Sequence, residues 1–473
     1  MEHYIFYCKL SLLAVLSLIT ACCMLSRRWY VNLAAFLACL SGETFLAHLF
    51  FPGYMLCPAA ASFIILFLSR IWDLSRTPAK GNGADPIRLP VRSGIRESRL
   101  EFHYHYSNFL VYGGAGSGKT KSIGKWLLSE YMRLGFAGFI YDFKDTDYTR
   151  TAYNLIKRHR YPHKFYYVSF DRPERSYRFN PLKVVRDRTE LIQLMEDVLL
   201  ALLPKKEQQN EWVAGGLGIL RGVAFRFWDE FPEHCTLPHI LAFIMTASAR
   251  QLSLFLQQNL VSEMLAGAYL KAEGSEKTQA SYLSTLCNNL ATISQNEEIA
   301  YVLSGDDFDF NLIDPETPKL FAVSNNFSKN SVYAPVISML MTISARQFSM
   351  QNRVPFVYFL DEMTTVNIKN FETLPSVLRE YKAAFILLTQ SGAKLENLYG
   401  KLDRSSVEAN FGNMFLGRTK DVEALKYYPL FFGKEEKERR SRSSGKSGAS
   451  SSSSVTVSSQ KEDIYQGKDF ADQ

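Results

Sequence analysis

Gly113-Gly114-Ala115-Gly116-Ser117-Gly118-Lys119-Thr120 decides how the rest of this chain is read. A glycine, four residues, then Gly-Lys-Thr is the spacing of a phosphate-binding loop. Asn108 to Tyr112 before it reads as a short buried strand, and Lys121 to Leu134 after it carries apolar residues at helical spacing. Glycines let backbone N–H groups turn inward around a phosphate, beside the positive end of a helix. The pattern therefore assigns Gly113, Gly114, Ala115, Gly116, Ser117, Gly118, Lys119 and Thr120 to nucleotide binding. Lys119 faces the β- and γ-phosphates and the Thr120 hydroxyl ligates Mg²⁺, with ATP the expected nucleotide.

A second signal lies far downstream. Val354 to Leu360 is an apolar strand that ends in Asp361-Glu362. A strand closing on two carboxylates is the complement such a loop requires: Asp361 for the Mg²⁺ shell, Glu362 to orient or deprotonate the attacking water. Phe385 to Ser391 is a further buried strand, and Gln390 at its end suits a γ-phosphate contact. Arg379 precedes that strand on a helix, where in a ring of subunits it would reach a neighbour's nucleotide. Lys119, Glu362, Gln390 and Arg379 are the candidate catalytic residues, and Thr120 and Asp361 the metal ligands.

Between these signals the character alternates. Ala137–Asp142 and Phe165–Phe170 read as strands, so 100–188 and 303–432 together form an α/β domain with a mainly parallel sheet. Residues 189–302 keep helical periodicity without a strand signal and read as an inserted all-α domain. Residues 75–99, with Pro78, Pro86 and Pro90, read as a linker. Residues 433–473 mix Lys and Arg with a serine run, a composition that buries no core and reads as a flexible basic tail.

The chain has 473 residues, 47% of them apolar, enough for two or three domains beyond a membrane anchor. A net charge of +7 permits a nucleic acid or an anionic membrane as partner without requiring either. Cys235 and Cys287 stand alone after residue 57, without metal-ligand spacing, which suits a reducing compartment. The first 74 residues read as that anchor, with apolar spans at 5–25, 31–51 and 54–72, each near the ~20 residues that cross a bilayer. Arg27-Arg28 and Arg70, Arg76 and Lys80 mark two cytoplasmic edges, which favours three spans with the N-terminus outside. A two-span alternative, with the middle segment outside, puts Arg27-Arg28 on the wrong face. The first segment lacks the basic cluster of a signal peptide and reads as retained.

In this order the parts resemble the coupling proteins of type IV secretion, the TraD/TraG-type ATPases of conjugative DNA transfer. The resemblance rests on the anchor, the Gly113–Thr120 loop and the strand ending Asp142-Phe143-Lys144-Asp145. It also rests on Phe179-Asn180-Pro181-Leu182, the helical insertion, Asp361-Glu362 and Thr389-Gln390-Ser391. The chain departs from the family pattern in its three spans rather than two. The resemblance implies a RecA-like P-loop NTPase carrying an all-α domain, assembled as a homo-hexamer on the cytoplasmic face of the bacterial inner membrane. It further implies single-stranded DNA bound to a relaxase as cargo, and the inner-membrane components of the secretion channel as partners. A double-stranded DNA translocase of the FtsK or HerA kind, and an ATPase that recruits only protein substrates, are the competing readings.

Overall fold

The computed structural model describes residues 85–93, 96–203, 207–447 and 450–471, all within one unit spanning Asp85–Gln473. The three spans expected at 5–25, 31–51 and 54–72 lie outside the described residues. Among the described residues no helix is long and apolar enough to cross a membrane.

The described chain opens on an antiparallel hairpin, β1 (Ile87–Ser93) and β2 (Arg96–Phe102). This corrects the reading of 75–99 as a linker throughout. Ile87 and Leu89 alternate inward and bury in the core, a period-two pattern that the prolines concealed.

The centre of the unit is a parallel seven-stranded sheet. Its strands are β3 (Phe109–Tyr112), β4 (Ala137–Asp142), β5 (Lys164–Ser169), β6 (Lys319–Ser324), β7 (Phe356–Leu360), β8 (Ala383–Thr389) and β9 (Asn413–Leu416), in the order β5-β6-β4-β7-β8-β3-β9. Nearly continuous apolar runs are what a parallel sheet covered on both faces demands. Alternate residues serve the two faces. Leu110, Phe139, Phe321, Tyr358 and Phe385 join one core. Phe109, Val111, Ile140, Phe359 and Ile386 join the other, against α1 (Lys125–Arg133) and α2 (Asp147–His159).

Between β5 and β6 the chain leaves the sheet for a run of helices. These are α3 (Arg188–Ala201), α4 (Glu211–Glu230), α5 (Leu237–Thr246), α6 (Ala249–Gln257), α7 (Leu260–Leu265), α8 (Gly267–Lys271), α9 (Glu276–Ser294) and α10 (Glu297–Leu303). The periodicity predicts one helix over Gln251–Ala268, but the chain restarts at Asn259, whose side chain accepts from the N–H groups of Val261 and Ser262 at 3.1 Å each. The entry and exit of this block are tied together. Phe179 N donates to Val302 O at 2.8 Å, and Asp307 N donates to Arg178 O at 2.8 Å. Asn180 caps the turn at Leu182 and donates to the Cys235 carbonyl at 2.8 Å, which gives Phe179-Asn180-Pro181-Leu182 its structural task.

After β6 come α11 (Asn330–Arg346), α12 (Leu374–Glu380), α13 (Gly392–Tyr399), α14 (Lys401–Ala409) and α15 (Val422–Tyr427). The expectation of a flexible tail over 433–473 is also corrected. Lys434–Ser447 (β10) and Ser450–Asp463 (β11) pair as an antiparallel hairpin, stabilised by backbone bonds that low-complexity composition does not preclude. Beyond it the chain returns to the domain: Phe470 packs on Tyr428 and Phe432, and Thr419 N donates to Phe470 O at 3.0 Å.

Candidate functional site at the carboxyl edge of the sheet

Strand register places the candidate residues. Tyr112 lies level with Thr389 on one side and Leu416 on the other, while Leu360 pairs with Tyr141 and Leu387. The loops that follow these strands therefore emerge along one carboxyl edge, where open α/β sheets form their crevices. β8 lies between the strand that launches Gly113–Thr120 and the strand that delivers Asp361-Glu362, so Gln390 emerges between the two.

The loop has the form its glycines allow. Gly116 and Gly118 take φ of 79° and 87°, the left-handed region that other residues rarely adopt. Lys119 to Gly124 then make a wide π-type turn before α1. Gly114 N donates to the Arg418 carbonyl at 2.8 Å, which ties the loop to the end of β9. The Lys119 ammonium lies on the carbonyls of Gly113 and Gly114, at 3.2 Å from the latter. Burial depresses its pKa below the usual lysine value, with Glu362 and Asp361 opposing.

Asp361 is 2% exposed, and its N–H donates to the Tyr141 carbonyl at 3.0 Å. Burial pushes its carboxyl up to about 7, against the pull of Lys144 and Lys119. Lys144 Nζ also lies 3.5 Å from Thr120 Oγ1, so the two expected metal ligands face a common cation. Asp361 Oδ2 and Ser117 Oγ are buried without a hydrogen-bond partner among the described residues. A buried carboxylate and a threonine hydroxyl form an all-oxygen donor set, and an orphaned carboxylate oxygen is an available ligand. These residues fit Mg²⁺.

Glu362 is 3% exposed and holds a left-handed backbone, φ 45° and ψ 51°. Strain of this kind in a non-glycine residue gathers at functional sites. Its Oε1 accepts from Thr364 Oγ1 at 3.3 Å and meets Lys394 Nζ at 3.4 Å. Asp142, at the end of β4, is buried and accepts from Thr149 N at 2.8 Å and Thr149 Oγ1 at 2.9 Å. Burial raises its pKa and those bonds restrain the rise. It organises the loop that carries Lys144.

One candidate stands apart. Arg379 is exposed near the end of α12, before the amino end of β8, at the opposite edge of the sheet from Gln390. Lys144, Lys394, Thr364 and the Arg418 carbonyl belong to the edge without having been singled out as site residues in the sequence. Lys144 lies in Asp142-Phe143-Lys144-Asp145, a motif that by itself assigns it no role, and Lys394, four residues after Gln390, belongs to no sequence pattern.

Comparison with known proteins agrees with this geometry. Residues 100–465 match the model of the type IV secretion-system coupling protein DNA-binding domain. The chain belongs to that family. No curated protein matches it. Among solved structures it is similar to the bacterial conjugative coupling protein TrwBΔN70 in an unbound form, with TM-score 0.62 and 17% identity over 85% of this chain and 86% of that one. It is also similar to TrwB in complex with the ATP analogue ADPNP, at TM-score 0.60 and 16% identity over 81% of this chain and 88% of that one. TrwB with ADP and Mg²⁺ matches at TM-score 0.60 and 16% identity, covering 83% and 90%. At these identities the likeness establishes the shared fold: a parallel α/β sheet with a helical block.

Proposed function

We propose that this coupling-family chain is an ATP hydrolase, anchored in the bacterial inner membrane by its first 74 residues, that drives relaxase-bound single-stranded DNA toward a type IV secretion channel. The observation that carries the reading is the convergence of Lys119, Asp361 and Glu362 on one sheet edge, around a loop whose glycines take left-handed φ. TrwB, a protein of the same fold, has been solved with an ATP analogue and with ADP and Mg²⁺, which supports ATP and Mg²⁺ here.

The roles follow from the chemistry of each group. Loop N–H groups and Lys119 hold the β- and γ-phosphates, and Thr120 with Asp361 holds the metal shell. Mg²⁺, when bound, offsets charge that builds on the phosphate oxygens. Glu362 accepts a proton from the attacking water, while Gln390 contacts the γ-phosphate. Arg379, remote from its own chain's loop, acts only if a neighbouring subunit supplies the nucleotide, as a hexameric ring arranges. Three spans at 5–25, 31–51 and 54–72 keep this motor on the cytoplasmic face, beside the channel's inner-membrane components.

The test is ATP hydrolysis by the full-length chain with and without single-stranded DNA, across protein concentration and salt. Stimulation by DNA that rises with protein concentration and fades with salt supports the reading. Stimulation by duplex alone favours a double-stranded DNA translocase, and DNA-independent hydrolysis favours recruitment of protein substrates.

A further inference from the structure

Glu362 reaches its place by two constraints of different kinds. The backbone fixes its Cα in the left-handed region, and the residues after it fold back: Thr365 N and Thr365 Oγ1 both bond the Glu362 carbonyl, at 3.0 and 2.7 Å. That settles where the side chain begins and leaves its own torsions to be set. At the far end, the hydrogen bonds of the carboxylate among the described residues come from Thr364 Oγ1 and Lys394 Nζ, both at Oε1. The threonine is two residues away and moves with the same turn. Lys394 comes from α13 and is the anchor that belongs to a different element.

The ammonium is held by a braced helix. α13 starts directly after Gln390-Ser391, so the junction that carries the expected γ-phosphate contact also carries Lys394. Glu396, two residues on, accepts from Arg404 Nη1 at 2.9 Å. Arg404 Nε donates to Glu408 Oε1 at 3.1 Å, and Tyr112 OH donates to that same oxygen at 2.6 Å. Tyr112 is the last residue before the phosphate loop. Gly392 leaves room for this bracing, because a Cβ there would press on the Arg404 guanidinium. α13 is thus tied to the strand beneath the loop, and its first turn presents Lys394 to Glu362.

We infer that Lys394 is a positioning residue: its ammonium fixes the direction of the Glu362 carboxylate, so that the end of β8 and the expected base move as one. The inference rests on the hydrolytic reading above. Lys394 is 44% exposed, and a substitution that keeps its aliphatic stem keeps whatever packing the stem makes. Its role in this proposal is to aim the carboxylate.

The experiment compares the full-length chain with its K394M and K394R variants. Steady-state ATP hydrolysis gives kcat and KM, a fluorescent ATP analogue gives the nucleotide Kd, and thermal unfolding checks the fold. Methionine keeps the stem and loses the cation; arginine keeps the cation. K394M is expected to lose roughly tenfold or more in kcat, a part of the 10²–10⁴ a positioned base supplies. Its Kd and melting temperature are expected to stay at the unaltered values, and K394R to recover most of the rate. A K394M chain as fast as the unaltered one overturns the proposal, as do equal losses in both variants or a loss confined to nucleotide affinity. If the unaltered chain binds nucleotide and hydrolyses none, the hydrolytic reading itself falls and this proposal with it.

Discussion

At the scale of single residues, the proposed roles separate binding from chemistry. Lys119→Ala removes the cation proposed to face the phosphates, so the variant is expected to lose nucleotide binding and turnover together. Glu362→Gln keeps the size of the side chain and loses the proton acceptor. It is expected to bind the ATP analogue as before while kcat falls by roughly 10²–10⁴-fold. Equilibrium binding beside steady-state hydrolysis checks both, and a Glu362→Gln chain at the unaltered rate would sink the assignment of the base. The placement of these residues on one edge is legible in the sequence. Gly116 and Gly118 stand where left-handed backbone is needed, and Asp361-Glu362 closes an apolar run, so spacing and strand periodicity suffice. Lys394 was not legible. It meets Glu362 across 32 residues, through a register between β7 and α13 that no local pattern records. The Arg418 carbonyl was invisible for a different reason: any residue supplies a carbonyl, so its identity carries no signal.

At the scale of elements, the sequence showed which segments are strands and helices but misjudged two where composition and geometry part company. Pro90 sits inside β1, where a two-stranded ribbon leaves room for a residue without an N–H. Arg440, Ser441, Val455 and Val457 are exposed, yet backbone pairing runs from Lys434↔Asp463 to Ser447↔Ser450. The inserted helices were visible from their periodicity, while the clasp at their root was not. That clasp is testable. Asn180 is buried and serves both the Cys235 carbonyl and the Leu182 N–H. Asn180→Ala leaves both without that partner and is expected to cost about 1–3 kcal/mol, seen as a lower urea midpoint with an unchanged slope. An unshifted midpoint would show that the clasp is held elsewhere, for instance by the Phe179–Val302 and Arg178–Asp307 bonds.

At the scale of the whole molecule, the expected ring makes Arg379 a discriminating probe. Its distance from its own chain's loop predicts that Arg379→Ala binds nucleotide normally yet hydrolyses it slowly, by roughly 10³–10⁵-fold if the residue is a finger. Mixing that variant with Lys119→Ala is expected to restore activity, because an intact loop then meets an intact arginine across a subunit boundary. Mixtures no more active than either parent would remove Arg379 from the mechanism. DNA contact through phosphates predicts that affinity falls linearly in log–log against salt, with little dependence on base sequence. The return of the chain after β11 has a mechanical consequence. Phe432, Tyr465 and Phe470 pack together at the root of the β10–β11 ribbon, and Phe470 O accepts from Thr419 N, one residue from the carbonyl that accepts from Gly114. The ribbon is in effect a lever pivoted on an aromatic bearing. Two hydrogen bonds, Thr419 N to Phe470 O and Gly114 N to Arg418 O, separate this bearing from the rim of the Gly113–Thr120 loop, so arm and loop share one linkage.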